Sequence, residues 1–107
     1  MNRSQMIDME FTRENLLALL SEGRNPSSSS YSHKQIAEWC ESFWNKYADI
    51  DAPEDLEKLM PVLADVENQW DLYLVNTYSP DELGNMDFEK VELPLQWFDD
   101  WLADAKA

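Results

Sequence analysis

The clearest pattern of hydrophobic and polar positions lies between Tyr31 and Tyr47. Ser32 and Gln35 have the spacing of a capping box, in which each side chain bonds the backbone N–H of the other residue. Apolar residues then recur at helical spacing and fill an arc of about 160° on the helical wheel; they are Ile36, Trp39, Cys40, Phe43, Trp44 and Tyr47. The pattern predicts a helix whose aromatic stripe is covered by other helices, so we expect it to occupy the centre of the core.

Two further helices are predicted on either side of this one. The first begins after Thr12, a suitable N-cap, and ends at Gly23, a favourable terminator. Residues 24–30 contain Asn-Pro followed by four serines and are predicted to form a loop. The last helix begins at Pro94, because proline is favoured at the first helical position. The inward-facing residues are predicted to be Leu16, Leu17, Leu19 and Leu20 in the first helix and Leu95, Phe98, Trp101 and Leu102 in the last.

The segment after residue 50 predicts one more helix. Asp51 and Glu54 repeat the capping-box spacing, and an apolar stripe follows at Leu56, Leu59, Met60, Leu63 and Val66. Pro61 falls on the opposite side of this helix, where a kink is tolerated. Glu67 would enter the stripe if the helix continued, so the helix is predicted to end near Asn68.

Residues 70–92 are ambiguous between helix and strand. Trp70 to Tyr78 is rich in aromatic and β-branched residues with partial alternation, which allows a short strand. Ser79 begins a helix-start signature that Gly84 stops within a turn, and Met86 to Glu92 reads as a second strand or an irregular loop. The fold prediction is therefore a mostly all-α single domain over residues 1–107, with four main helices, a short β-hairpin allowed within 70–92 and residues 1–10 loosely ordered.

Length, cysteine content and the lack of long apolar runs indicate the size of the core and the compartment of the protein. A chain of 107 residues supports one modest core, and its single cysteine, Cys40, excludes a disulfide within the chain. The first residues lack an apolar signal segment, and no apolar run approaches the ~18 residues of a membrane span. These observations favour a cytoplasmic protein.

Charge is the strongest functional signal. The net charge of −14 is unevenly distributed, since residues 1–48 carry six acidic and five basic side chains whereas residues 49–107 carry sixteen acidic side chains and three lysines. Nucleic acid and anionic membranes are disfavoured as direct ligands because both require a basic surface. The asymmetry is either a well-solvated acidic face or a surface for a strongly basic protein partner.

Candidate chemistry is sparse. His33, the only histidine, falls in the first turn of the central helix and is predicted to face solvent. One cysteine and one histidine cannot supply a structural zinc site, and residues 49–55 lack the glycine and glutamate spacing of a calcium loop. No phosphate-binding loop, nucleophile elbow or dinucleotide fingerprint occurs. We therefore expect neither enzymatic activity nor a cofactor or metal.

The last helix carries the candidate partner-binding residues. Trp97 and Trp101 are spaced i, i+4 and fall on the rim of its apolar face, beside Asp100 and Asp104. Asp99 of the same helix is also predicted to bind the partner. A tryptophan at a rim can simply cover the core, or it can anchor an interface in which the flanking acids meet basic residues. Asp71, Asp81 and Glu82 complete the predicted partner-binding set.

Several of these elements together resemble a known class of proteins. They are the short leucine-rich helix, the motif S-x-x-Q-I-A-E-W at Ser32–Trp39, the acidic third helix and the motif W-F-D-D-W-L at Trp97–Leu102. In this succession the chain resembles the small acidic helical immunity proteins of bacterial contact-dependent or colicin-like toxin systems. The resemblance implies a protein that binds a cognate toxin, often a basic nuclease, and blocks its active or substrate-binding site.

Charge and resemblance lead to one functional prediction with two alternatives. The prediction is a non-enzymatic protein that neutralises a basic partner, most specifically a toxin nuclease domain. One alternative is a DNA-mimic inhibitor of nucleic-acid-binding proteins, whose carboxylates would be spaced like phosphates. The other is a cytoplasmic adaptor without inhibitory activity.

Overall fold

The computed structural model describes residues 7–107, which form helices joined by irregular segments. The α-helices are α1 (Arg13–Gly23), α2 (His33–Tyr47), α3 (Glu54–Glu57), α4 (Met60–Thr77), α5 (Pro80–Asn85) and α6 (Leu95–Lys106), and a 3-10 turn spans Phe88–Lys90. No strand occurs within residues 7–107. The predicted all-α class is confirmed, whereas the β-hairpin and the count of four helices are wrong.

The core lies where two helix pairs meet. α2 packs on α4, α1 packs on α6, and α1 also contacts α2. The stripe of α2 is central, because Ile36, Trp39, Cys40 and Phe43 are buried. Burying apolar side chains contributes most of the stability of such a fold, at about 1.5–3 kcal/mol for each large side chain.

The first two long helices begin as their sequences predict. The Thr12 hydroxyl accepts the backbone N–H of Asn15 at 3.1 Å, which satisfies one of the free donors at the start of α1. At α2 the capping box is complete, since the Ser32 hydroxyl accepts the Gln35 N–H at 3.1 Å and the Gln35 side chain accepts the Ser32 N–H at 2.9 Å.

The segment before α1 is packed on the core. Ile7 is buried, and the carbonyl oxygen of Met9 accepts the indole N–H of Trp39 at 3.1 Å. Phe11 lies against Phe43 with ring centroids 5.1 Å apart. The predicted loose order of residues 1–10 therefore does not hold for residues 7–10, and residues 1–6 lie outside the described part of the chain.

The third predicted helix is divided in two. Its first part is the four-residue α3, which has no side-chain cap, so the Asp51–Glu54 capping box is absent. α4 starts at Met60 and places Pro61 in its first turn. Proline lacks an N–H and its ring clashes with the carbonyl of the preceding turn. A continuous helix through Pro61 would lose a hydrogen bond, whereas in a first turn the missing donor is harmless.

The segment Trp70–Tyr78 is helical because tertiary packing overrides local β propensity. α4 runs to Thr77, nine residues past the predicted end, and buries Val66 and Trp70 on one side. Tyr73 and Leu74 continue that side and pack against the core. Glu67 is accommodated at the edge of the stripe, where it is partly exposed. The period of 3.6 residues therefore extends over the whole segment.

His33, the first residue of α2, is buried, contrary to the prediction that it faces solvent. The His33 side chain is 2% exposed, and its two ring nitrogens lie within hydrogen-bonding distance of the Gly23 carbonyl and the Leu93 N–H. Its ring also contacts Phe98 of α6, with centroids 4.4 Å apart. Helical periodicity cannot show this packing, because the elements that cover the turn come from distant parts of the chain.

Candidate functional site

α4 and α6 pack side by side and enclose a groove. Trp101 contacts Asp65 of α4, and Trp97, one turn earlier in α6, contacts Tyr73, which lies two turns later in α4. The two helices are therefore antiparallel along this contact. Between them lies a groove of about 250 Å³, here called the α4–α6 groove, lined by Asp65, Gln69, Trp97, Asp100, Trp101 and Asp104.

The two tryptophans of α6 differ in their exposure to solvent at this groove. Trp101 is 3% exposed and belongs to the core, so its predicted inward orientation is confirmed and its predicted place on the rim is wrong. Its indole N–H donates to Asp65 Oδ2 at 2.6 Å, which satisfies the polar atom of an otherwise buried ring. Trp97 is partly exposed and lies edge-on to Trp101, with ring centroids 6.2 Å apart. Of the two predicted anchors, only Trp97 presents appreciable surface.

Three carboxylates surround these indoles without a basic partner among residues 7–107. Asp65, Asp100 and Asp104 are exposed. Within residues 7–107, none of them has a lysine, arginine or histidine nitrogen within 4 Å. Asp100 accepts the side-chain amide of Gln96 at 3.1 Å, and this amide carries no charge. The groove is therefore lined by acidic side chains that no basic side chain of residues 7–107 pairs with.

Two neighbouring residues of α6 point away from the groove. Asp99 forms an ion pair with Arg24, beyond the end of α1, so part of its charge is neutralised within the protein. Leu95 is 43% exposed, contrary to its predicted inward position.

Asp71 belongs to a different acidic cleft. This cleft lies between α2 and α4 and is lined by Ala37, Glu38, Glu41, Glu67, Trp70 and Asp71. Burial raises the pKa of Glu67, and the nearby charges of Glu41 and Asp71 raise it further. Crowding of like charges thus extends to a second surface.

Asp81 and Glu82 lie on the short helix α5 and do not line either cleft. The Glu82 carboxylate accepts the Ser79 backbone N–H at 2.9 Å and completes a capping box. Its role in the structure is therefore to begin α5. The eight predicted partner-binding residues are divided among four locations, and Trp97, Asp100, Trp101 and Asp104 are the four that the fold brings together.

Two groove residues of α4 were not predicted: Asp65 lies in the predicted third helix but was not linked to the last helix, and Gln69 lies just past the predicted end of that helix. Asp65 and Gln69 line the groove, and Leu72 lies one turn beyond Gln69 on the same side of α4. Leu72 is 48% exposed. Extending the helical period through residue 77 would have identified this row of polar and apolar positions.

Neither a cluster of metal-ligating side chains nor an accessible thiol occurs within residues 7–107. Within residues 7–107 no three histidine, cysteine, aspartate or glutamate side chains are arranged to hold a metal ion. Cys40 is fully buried, and burial raises the pKa of its thiol well above the usual value. None of the helices of this region has the length and apolar character needed to cross a membrane. The α4–α6 groove, with its carboxylates and partly exposed indole, is suited to holding a cationic group.

Comparison with protein-family models, curated proteins and solved structures finds no match to this chain.

Proposed function

We propose that this protein is a non-enzymatic binding protein that neutralises a basic protein partner, and that the partner is the nuclease domain of a bacterial toxin for which this chain is the cognate immunity protein. The α4–α6 groove carries the proposal. Three exposed carboxylates with no basic side chain of residues 7–107 within 4 Å border the partly exposed indole of Trp97.

The total charge of the chain supports the proposal that its partner is a basic protein. A net charge of −14 on 107 residues opposes folding through self-repulsion. A surface that retains so many unpaired carboxylates is consistent with selection for association. Such a surface attracts a cationic protein over roughly a Debye length, about 8 Å at physiological salt. This attraction raises the association rate more than it raises the final affinity.

The arrangement around the groove also resembles that of an interface. The partly exposed Trp97 would form the desolvated centre, and the carboxylates would form the polar rim. Trp97 is the expected hot spot because tryptophan combines a large apolar area with few rotatable bonds. Asp99 contributes less, since Arg24 already pairs with it.

The experiment that tests the proposal measures binding to the product of the neighbouring gene. We expect a large secreted protein with a basic C-terminal domain to be encoded immediately upstream. That domain, expressed with and without this chain, should lose its toxicity in the presence of this chain and bind it with a Kd of about 1 nM or lower, the range of tight specific pairs. Co-expression that leaves the toxicity unchanged would contradict the proposal.

A charge variant tests the surface within the same assay. Asp100→Asn combined with Asp104→Asn should slow association at low salt and reduce its salt dependence. The matched control is Asp49→Asn with Asp51→Asn, which removes the same charge from exposed positions outside the groove. Equal effects of the two variants would show that only the total charge matters.

A panel of unrelated basic proteins separates immunity from the other two functions. A cognate immunity protein should retain one toxin and release the others. A DNA mimic should retain several DNA-binding proteins with similar affinities and compete with DNA for each. An adaptor should bind its partner without inhibiting any activity.

A further inference from the structure

We propose that the α4–α6 groove receives an arginine side chain of the partner, with the guanidinium stacked on Trp97 and hydrogen-bonded to Asp100 and Asp104. The inference rests on the proposed function for the existence of a basic partner. It adds the identity of the residue that enters and the place where it is held.

The size of the groove fits a single side chain. Pockets for small molecules and cofactors usually enclose about 300–1,000 Å³, whereas this groove encloses about 250 Å³. A neighbouring hollow, bounded by Pro61, Val62 and Lys58, shares Asp65, Trp101 and Asp104 with the groove. The ammonium of Lys58 disfavours a second cation in that hollow. The cationic guest is therefore directed to the end of the groove where Trp97 and Asp100 lie.

The polar groups of the groove select a cation. Asp65, Asp100 and Asp104 accept hydrogen bonds and carry negative charge, and no basic nitrogen of residues 7–107 lies within 4 Å of any of them. An anionic guest would be repelled, and a neutral guest would leave the carboxylates partly desolvated without compensation. A cation therefore gains from the groove without displacing a basic side chain of residues 7–107.

The indole of Trp97 selects arginine over lysine. A guanidinium is planar, stacks on an aromatic face and donates two parallel hydrogen bonds to a carboxylate. A lysine ammonium is a more strongly hydrated point charge and gains less from such a site. Trp97 and Asp100 line the same groove, so a stacked guanidinium can reach a carboxylate without leaving the ring.

Part of the groove is ordered before any guest arrives. The indole N–H of Trp101 holds Asp65 Oδ2 at 2.6 Å, and the Trp101 ring is fixed in the core. The orientation of this carboxylate therefore costs little conformational entropy on binding. The same bond makes the Trp101 indole N–H a reporter, because a cation near Asp65 will change its environment.

The test uses the full chain and two small probes of equal charge. N-acetyl-L-arginine amide and N-acetyl-L-lysine amide are titrated separately while the indole N–H signals of the five tryptophans are followed by NMR. We expect the signals of Trp97 and Trp101 to shift saturably, with arginine amide binding about two- to fivefold tighter, the ratio that an exposed cation–π contact provides. The signal of Trp39, which donates to Met9 inside the core, should remain unchanged.

Two variants complete the test. Asp100→Asn with Asp104→Asn should abolish saturable binding, whereas Asp49→Asn with Asp51→Asn should leave it intact. Trp97→Leu should remove the preference for arginine and retain weak binding of both probes. Equal binding of the two probes to the original chain, or binding that survives Asp100→Asn with Asp104→Asn, would overturn the inference.

These outcomes are separate from those that concern the proposed function. The titration uses no partner protein, so it can fail while the toxin domain is still bound and inhibited. Conversely, arginine amide can bind in the groove even if co-expression shows no protection against a toxin.

Discussion

The imidazole of His33 joins α2 to the segment that leads into α6, because the backbone N–H of Leu93 donates to His33 Nδ1 at 2.8 Å. A nitrogen that accepts a hydrogen bond carries no proton. The neutral ring therefore carries its hydrogen on Nε2, which donates to the Gly23 carbonyl oxygen 2.8 Å away. One buried side chain thus connects the end of α1, the start of α2 and the approach to α6.

We expect His33→Ala to destabilise the protein by about 2–4 kcal/mol, since it leaves a buried N–H and a buried carbonyl without partners. Urea denaturation followed by circular dichroism measures this loss. His33→Phe is the companion variant, because it retains an aromatic ring beside Phe98 but removes both hydrogen bonds. A loss below about 1 kcal/mol in both variants would show that the two bonds contribute little to stability.

The stability should also depend on pH through His33. Burial lowers the pKa of His33 below the ordinary histidine value of 6.5, while the Gly23 hydrogen bond and the charge of Glu92 act in the opposite direction. The unfolded state then binds the proton more readily than the folded state does. The contribution of His33 is therefore fully present above pH 6.5 and decreases as the pH falls through the folded pKa.

The measurement compares the original chain with His33→Phe by urea denaturation between pH 7.5 and pH 5. The difference between their free energies of unfolding isolates His33 from the many carboxylates, which are common to both proteins. We expect this difference to shrink on acidification. A difference that stays constant over the range would mean that His33 titrates equally in both states.

Gly23 and Gly84 should respond in opposite ways to a methyl group. A Cβ built at Gly23 would lie within 2.9 Å of three ring atoms of Phe98, whereas one at Gly84 meets nothing within 4 Å. Phe98 is fully packed and cannot move aside freely. We expect Gly23→Ala to cost about 1–3 kcal/mol through overpacking. Gly84→Ala, within α5, should stabilise by about 0.4–1 kcal/mol because it restricts the unfolded chain.

Thermal unfolding of these two variants provides the measurement, and each serves as the control for the other. Equal melting temperatures would contradict the close approach of α1 to α6 at Gly23. A loss of stability on Gly84→Ala would contradict the open surroundings of α5.

Replacing Trp101 and replacing Trp97 should cost different amounts of stability. Trp101→Ala should cost about 3–5 kcal/mol, the usual range for a fully buried aromatic residue. Trp97→Ala should cost less, about 1–2 kcal/mol, because part of its ring is already in contact with water. Denaturation curves of the two variants give the comparison.

If Trp97 is the hot spot of the interface, Trp97→Ala should also speed dissociation from the partner by an amount worth about 2 kcal/mol or more. Circular dichroism establishes that the variant is folded before dissociation is measured. An unchanged dissociation rate in the folded variant would move the interface away from the α4–α6 groove.

The sequence alone predicted those features that depend on residues close together in the chain. Thr12 and Ser32 cap their helices as their side chains and spacing indicate, and the stripe from Ile36 to Phe43 is buried as its period requires. A hydroxyl within reach of a free N–H acts over three residues and needs no other part of the chain.

Predictions from local sequence were wrong where packing between helices outweighed the local preference. The aromatic and β-branched residues between Trp70 and Tyr78 favour a strand locally, yet α4 continues through them because Trp70, Tyr73 and Leu74 pack on the core at helical spacing. At α6, the neighbouring helices bury Trp101 and leave Trp97 partly exposed, although both residues fall on the same side of the helical wheel.

By itself the sequence determined the helical class, the beginnings of α1 and α2, the apolar stripe of α2 and the excess of negative charge after residue 48. Periodicity, capping and charge depend on residues near one another in the chain, so they can be read without coordinates. Only the tertiary structure decided the burial of His33, the pairing of Asp99 with Arg24 and the meeting of Asp65 with Trp101. The reason is that each of these contacts joins residues ten or more positions apart, and such contacts depend on how whole helices pack.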